Sequence, residues 1–230
     1  MNLNTPRIVN KKVSNYIKEE RKLKDSQEYF VLAFLKYKFP DKYKDVFHAD
    51  KPDLQGNKIM VEVTTLEENK EMQASKEFAK YSENYDEWRI KKIEGTGYAL
   101  ENSADITSMY RSGGYNFELD QALLKKCVNV KTEKAKGYDA KNRTLELALV
   151  KEDRPLLEWL EKINYSLETI VNNQEIYETV YILFPNSCIY IKKGTSPQKI
   201  ELSPKEYLHL KTIGRMTAEG EINIDDEEWQ

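Results

Sequence analysis

Between Glu28 and Phe39 the chain reads EYFVLAFLKYKF, a helical stretch with apolar side chains on nearly every face. A helix that is apolar all round has to be covered on all sides, so the rest of the chain must supply more than one layer around it. No stretch approaches the roughly 20 apolar residues of a membrane span. The longest strongly apolar runs are Tyr29–Leu35 and Val180–Phe184. The chain's 230 residues, 40% hydrophobic and 33% charged with only 9 Gly and 7 Pro, exclude collagen-like, linker-like and wholly disordered chains. By length, one domain with elaborations is expected.

The first helix is expected from about Asn10 to Lys38, with Ser26 as a possible N-cap of its second half and Pro40 ending it. Two extended segments then flank Gly56-Asn57, a hairpin dipeptide. In the second, Ile59, Val61 and Val63 alternate with Met60, Glu62 and Thr64, the period of a strand. From Leu66 the period changes: Phe78, Tyr81, Tyr85 and Trp88 recur at three- and four-residue steps, predicting one long helix to about Ile93. Residues 94–117, with GTG and SGG, read as a loop or insertion. Leu119, Leu123, Cys127 and Val130 mark another helix, with Gly137 as its C′ glycine. A strand at Thr144–Val150 follows, and Asp153-Arg154-Pro155 opens a helix. Strands at Glu178–Pro185 and Ser187–Lys192 come next, and then a capped helix at Pro204–Ile213, where Ser203-Pro204-Lys205-Glu206 has the residues of a capping box. No repeat of 20–50 residues is visible. Strands interleaved with long helices define an α/β protein, a mixed central sheet flanked by helices, with residues 1–218 as a single domain and 219–230 as a tail.

That tail carries six acids and no base, so the net charge of −3 becomes +3 without it. A weakly basic body is compatible with a nucleic-acid partner. Cys127 and Cys188 make no disulfide framework, and the N-terminus lacks the apolar core of a secretory signal. The expectation is a cytoplasmic protein with no membrane association.

The chemistry-bearing stretch is Pro52-Asp53 followed by Glu62-Val63-Thr64. On a hairpin turning at Gly56-Asn57, the two acids lie on opposite arms, close enough to share a ligand. Glu62 sits in an otherwise apolar strand, where a charge needs compensation. A hard cation such as Mg²⁺, held by Asp53, Glu62 and the Val63 carbonyl, is one compensation. A polar face of Met60, Glu62 and Thr64 turned to solvent is the other.

A helix with an internal acid (Glu28), Pro52-Asp53 on one hairpin arm, Glu62-Val63-Thr64 on the other, then a helix and a strand: this order resembles the PD-(D/E)XK nuclease superfamily, over roughly residues 10–190. Lys131-x-x-Lys134-x-x-x-Tyr138 also looks like the helix before the fourth core strand in some members. The resemblance implies a restriction-endonuclease-like fold and hydrolysis of DNA phosphodiester bonds with Mg²⁺ or Mn²⁺, in restriction, phage defence or repair, by a possible homodimer. It assigns Asp53, Glu62 and Val63 to the metal, with Glu28 holding a second metal or a water, in preference to Glu20. Thr64 departs from the pattern, which has lysine there to orient water and stabilise charge at phosphorus. Candidate substitutes are Lys58, on the Glu62 face by parity, and Lys70, Lys76 or Lys80 on the next helix. Lys126, Lys131 and Lys134 could approach the site or hold DNA phosphate. The alternative is an inactive nuclease fold that binds nucleic acid or a protein.

Other chemistries find little footing. His48 and His209 are too far apart in the chain to suggest a zinc site. Neither cysteine has a Cys-x-x-Cys partner, and the glycine stretches lack a P-loop ending. His48 reads as a strand-edge residue, Gln73 as exposed, and Tyr98, Tyr110 and Tyr115 as loop packing in preference to base stacking.

Overall fold

The computed structural model describes residues 11–67, 73–74, 76–78, 80–81, 86–103, 106–111, 117–140, 142–151 and 157–226. Helix α1 spans Lys11–Lys38, and Pro40 opens the short α2, Pro40–Tyr43. As the apolar run requires, Phe30–Leu35 is buried throughout.

Seven strands form one mixed sheet: β1 Phe47–His48, β2 Leu54–Gln55, β3 Ile59–Thr65, β6 Thr144–Val150, β7 Tyr177–Phe184, β8 Ser187–Lys192 and β9 Gln198–Glu201, in that spatial order. β2 and β3 form the expected hairpin, in the register Leu54↔Val61 and Gln55↔Met60, and Gly56 N–H closes its turn on the Ile59 carbonyl at 2.8 Å. β3, β6 and β7 run parallel, while the outer strands pair antiparallel. Parallel strands are covered on both faces, and the side-chain alternation shows how. Val61, Val63, Ala148, Val150, Tyr181 and Leu183 join α1 and α6 (Pro204–Glu219) in one core. Met60, Leu145, Leu147, Leu149, Val180 and Ile182 join α4 (Phe117–Ala135) and α5 (Leu157–Asn172) in the other. The chain is α/β, a mixed seven-stranded sheet between helices. Among the described residues no helix is long and apolar enough to cross a membrane.

Several expectations are corrected. The helix expected to run unbroken to Ile93 is interrupted: Asp86 is extended (φ −138, ψ 115), accepts from Trp88 N–H, and caps a separate α3, Glu87–Gly95. The Asp86 side chain satisfies a free N–H at the start of this helix, a local cap that an apolar period running through it does not reveal. The segment read as a loop contains β4 (Tyr98–Ser103) and β5 (Ile106–Arg111), an antiparallel pair outside the main sheet; Tyr98, Ile106, Thr107 and Tyr110 favour strand between the glycines that suggested a loop. Ala74, Tyr81, Ile93 and Tyr98 form a small core of their own beside it. Gly137 does not take the left-handed conformation; the positive φ before β6 belongs to Asn142 (69°).

Helix α6 has its capping box, Ser203 accepting from Glu206 N–H and Glu206 from Ser203 N–H, but continues past Ile213 to Glu219, ending on Gly220 in the left-handed region (φ 76). Gly214 does not stop it, because the glycine is needed for packing: a Cβ there would lie 2.6 Å from Phe30 N and 2.8 Å from Ser26 O. Beyond α6, Ile224 is buried in the α1 core, and Asp225 accepts from the buried Lys36 ammonium at 2.6 Å. Residues 227–230 lie outside the described part, as do Asp153-Arg154-Pro155, Lys70, Tyr85 and Tyr115, and the side chains of Glu20 and Tyr110.

Candidate active site

Extending the β2–β3 register by one position sets Asp53 opposite Glu62. Asp53 Oδ2 accepts the Val63 N–H at 2.8 Å, which ties the end of the Pro52-Asp53 arm to the strand carrying Glu62. Both acids are buried, Glu62 completely (0% exposed). The exposed polar face that the strand pattern allowed for Glu62 is therefore not what forms.

The compensation comes from α4. Lys131 and Lys134 are three residues apart on one helix face, and both ammonium groups donate to Glu62 Oε1, at 2.7 and 2.6 Å. Just beyond the helix, Tyr138 O–H donates to Oε2 at 2.5 Å. Lys131 also reaches the Val63 carbonyl at 3.4 Å. Burial alone would raise the Glu62 pKa, but these three donors outweigh it and hold the carboxyl below its ordinary value. The same contacts raise Lys134 against the opposing effect of its burial, and burial with the Glu62 charge pushes the Tyr138 phenol up to about 12. Asp53 goes the other way. Burial first, and the Glu62 charge second, raise it to about 6 against the pull of the Val63 N–H.

A second group lies on the α1 side. Lys24 Nζ is 2.6 Å from Glu28 Oε1 and 3.4 Å from Asp53 Oδ1. His48 Nε2 and Glu28 Oε2 share a hydrogen bond of 2.5 Å, and the imidazole lies against Tyr29, ring centroids 4.5 Å apart. Burial would raise Glu28, but His48 and then Lys24 bring it below its usual value; the bond to Glu28 raises His48 against burial. Ligand atoms of Asp25, Glu28 and His48 all lie within 4.8 Å of one another.

The structure thus brings together Asp53, Glu62, Val63, Lys131 and Lys134, with Glu28 joined to Asp53 through Lys24. Thr64 is half-buried at the next strand position. Lys58 is exposed beside the hairpin turn, four strand residues or about 13 Å from Glu62, and does not reach it. Lys126 is exposed on α4, Lys76 and Gln73 are exposed, and Lys80 pairs with Glu77. Sequence reasoning passed over Lys24, read His48 as a strand-edge residue in preference to a place near the acidic pair, and noted Tyr138 only in the stretch with Lys131 and Lys134. The i,i+4 spacing of Lys24 and Glu28, and of Lys134 and Tyr138, was the available signal. Tyr177 was missed as well. Its buried hydroxyl has no hydrogen-bond partner among the described residues, and burial, followed by Glu62, Tyr138 and Asp53, raises its pKa.

Asp53, Glu62 and the Val63 carbonyl are an all-oxygen set of the kind that suits Mg²⁺ or Mn²⁺. Two buried carboxyl groups on opposite arms of one hairpin, beside a backbone carbonyl, are a donor set that fits a divalent cation. Compared with protein-family models, curated proteins and solved structures, the chain matches none.

Proposed function

We infer that the protein is a metal-dependent nuclease of restriction-endonuclease-like fold that hydrolyses DNA phosphodiester bonds, with lysines from α4 serving where Thr64 replaces the motif lysine. The observation that carries this reading is the convergence of the Lys131 and Lys134 ammonium groups on buried Glu62 opposite Asp53. The order α1, β2–β3 hairpin, α4, β6 supports it, since it is the order in which the motif's parts are expected.

Asp53, Glu62 and the Val63 carbonyl would hold Mg²⁺ or Mn²⁺. When bound, the cation supplies Lewis-acid polarisation of the phosphodiester and acidifies water. Tyr138 fixes the Glu62 carboxylate through Oε2. Lys134, 45% exposed, presents its ammonium at the solvent side, where it stabilises negative charge developing on a phosphate. Lys24 restrains Asp53 from the α1 side and neutralises part of the Glu28 charge.

The test is incubation of plasmid and single-stranded DNA with Mg²⁺ or Mn²⁺, using the wild type, Asp53→Ala, Glu62→Ala and the Lys131→Ala/Lys134→Ala double variant. The wild type cuts, and each variant loses about 100-fold or more. Equal cleavage by all four proteins points to a contaminant and removes the reading. One observation favours a second reading, a nucleic-acid-binding protein without turnover: both Glu62 oxygens already have protein donors. DNA binding that persists in all variants, with no cutting by any, selects it.

A further inference from the structure

Two of the three oxygens suited to a cation are already bridged by a positive charge. Lys131 Nζ lies 2.7 Å from Glu62 Oε1 and 3.4 Å from the Val63 carbonyl. The Lys131 side chain is 17% exposed and that of Glu62 0%, so the ammonium is enclosed against its acceptors. Mg²⁺ sits about 2.1 Å from its oxygen ligands. A cation bridging the same two oxygens would fall inside the contact distance of this nitrogen and face a like charge that little water screens. Lys134 differs: it shares Oε1 at 2.6 Å, is 45% exposed, and its one acceptor in this set is that oxygen.

We propose that Lys131 is a displaceable stand-in for the divalent cation, holding Glu62 and the Val63 carbonyl together in the metal-free protein and leaving them when the cation binds. The proposal rests on the ligand set of the nuclease reading, and does not depend on turnover. Two consequences follow. Cation affinity is reduced by the fraction of molecules in which Lys131 holds the site. The displaced ammonium also remains tethered to α4 beside Glu62, so cation entry itself delivers a lysine to a strand that has threonine in the motif position.

Mn²⁺ binding by isothermal titration calorimetry at pH 7.5 tests this, with the wild type, Lys131→Met, Lys131→Gln, Lys134→Met and Glu62→Gln. Lys134 and Tyr138 still satisfy Glu62 when Lys131 is replaced, which keeps the variants foldable. Both Lys131 variants bind Mn²⁺ about tenfold more tightly than the wild type, and Glu62→Gln abolishes binding. Lys134→Met removes the same charge from the same oxygen without freeing the Val63 carbonyl, so its gain is smaller. The proposal is overturned if the Lys131 variants bind no more tightly than the wild type, if Lys134→Met gains as much as they do, or if no protein binds Mn²⁺. DNA cleavage by the same samples separates this from the nuclease reading. A wild type that cuts, with no affinity gained on losing Lys131, retains the nuclease and removes the stand-in. Gained affinity in a protein that never cuts does the reverse.

Discussion

Asp53 and Glu62 stand opposite one another on the β2–β3 ribbon, and their carboxyl groups are displaced in opposite directions, Asp53 upward to about 6 and Glu62 downward. Burial raises both. What separates them among the described residues is the supply of donors: two ammonium groups and a phenol for Glu62, one backbone N–H and a lysine at 3.4 Å for Asp53. Two acids whose environments drive them apart can carry different roles in one site.

The pH dependence of stability reads this out. Asp53 binds its proton more tightly folded (about 6) than unfolded (3.8). Its favourable contribution is therefore present at low pH and is lost as pH rises through 6. At pH 8 the ionised carboxylate destabilises the fold, so Asp53→Asn is expected to raise urea stability there by about 1–3 kcal/mol. The advantage shrinks as pH falls towards 4. A variant no more stable than the wild type at pH 8 contradicts the shift.

Replacing Glu62 acts on the other carboxylate. Glu62→Gln leaves two ammonium groups converging on a neutral amide. Removing one partner of a fully buried pair costs about 3–5 kcal/mol. Lys134 can turn to solvent, so about 2–3 kcal/mol is expected in denaturant unfolding. A loss no greater than that of a surface substitution would show that the lysines do not depend on Glu62.

His48 should titrate above its ordinary 6.5 because it donates to Glu28. The stability drawn from this contact is fully present below pH 6.5 and lost as pH rises through the folded value. NMR titration of His48 checks the direction, and Glu28→Gln should bring its midpoint down. An unchanged midpoint in that variant would assign the shift to another group.

Tyr177 offers the opposite kind of variant. An unsatisfied buried hydroxyl costs about 1–3 kcal/mol, so Tyr177→Phe is expected to keep or raise the melting temperature. A clear drop would mean that the hydroxyl has a partner in solution.

Gly214→Ala tests the packing of α6 on α1. The added methyl meets backbone atoms of Phe30 and Ser26 at 2.6–2.8 Å, and backbone cannot yield as a side chain tip can. The helices must separate, at about 3 kcal/mol by the scale of overpacked cores. In an exposed helix the same change would stabilise by about 1 kcal/mol, so the sign of the effect decides.

The central sheet was legible because its signals are local: the Gly56-Asn57 turn, the alternation through Ile59–Thr65, and the apolar run Thr144–Val150. The break at Asp86 was not, because the apolar period of Phe78, Tyr81 and Trp88 continues across it. At the site, Asp53 and Glu62 were legible as acids on one hairpin. The identity of their cationic partners was not, since Lys58 and Lys131 are equally plausible until the crossing of α4 over β3 is known. Nor does a buried acid alone mark the site. Glu146 is as buried as Glu62, and Lys42 at 2.8 Å and Tyr43 at 2.5 Å satisfy it.

The packing of α1 against α6 joins helices nearly 170 residues apart. During synthesis α1 leaves the ribosome before α6, and the surface that α6 will cover waits for the long stretch of chain between them to be made. Nascent chains stopped before Pro204 should accordingly expose this apolar helix and recruit chaperones or aggregate.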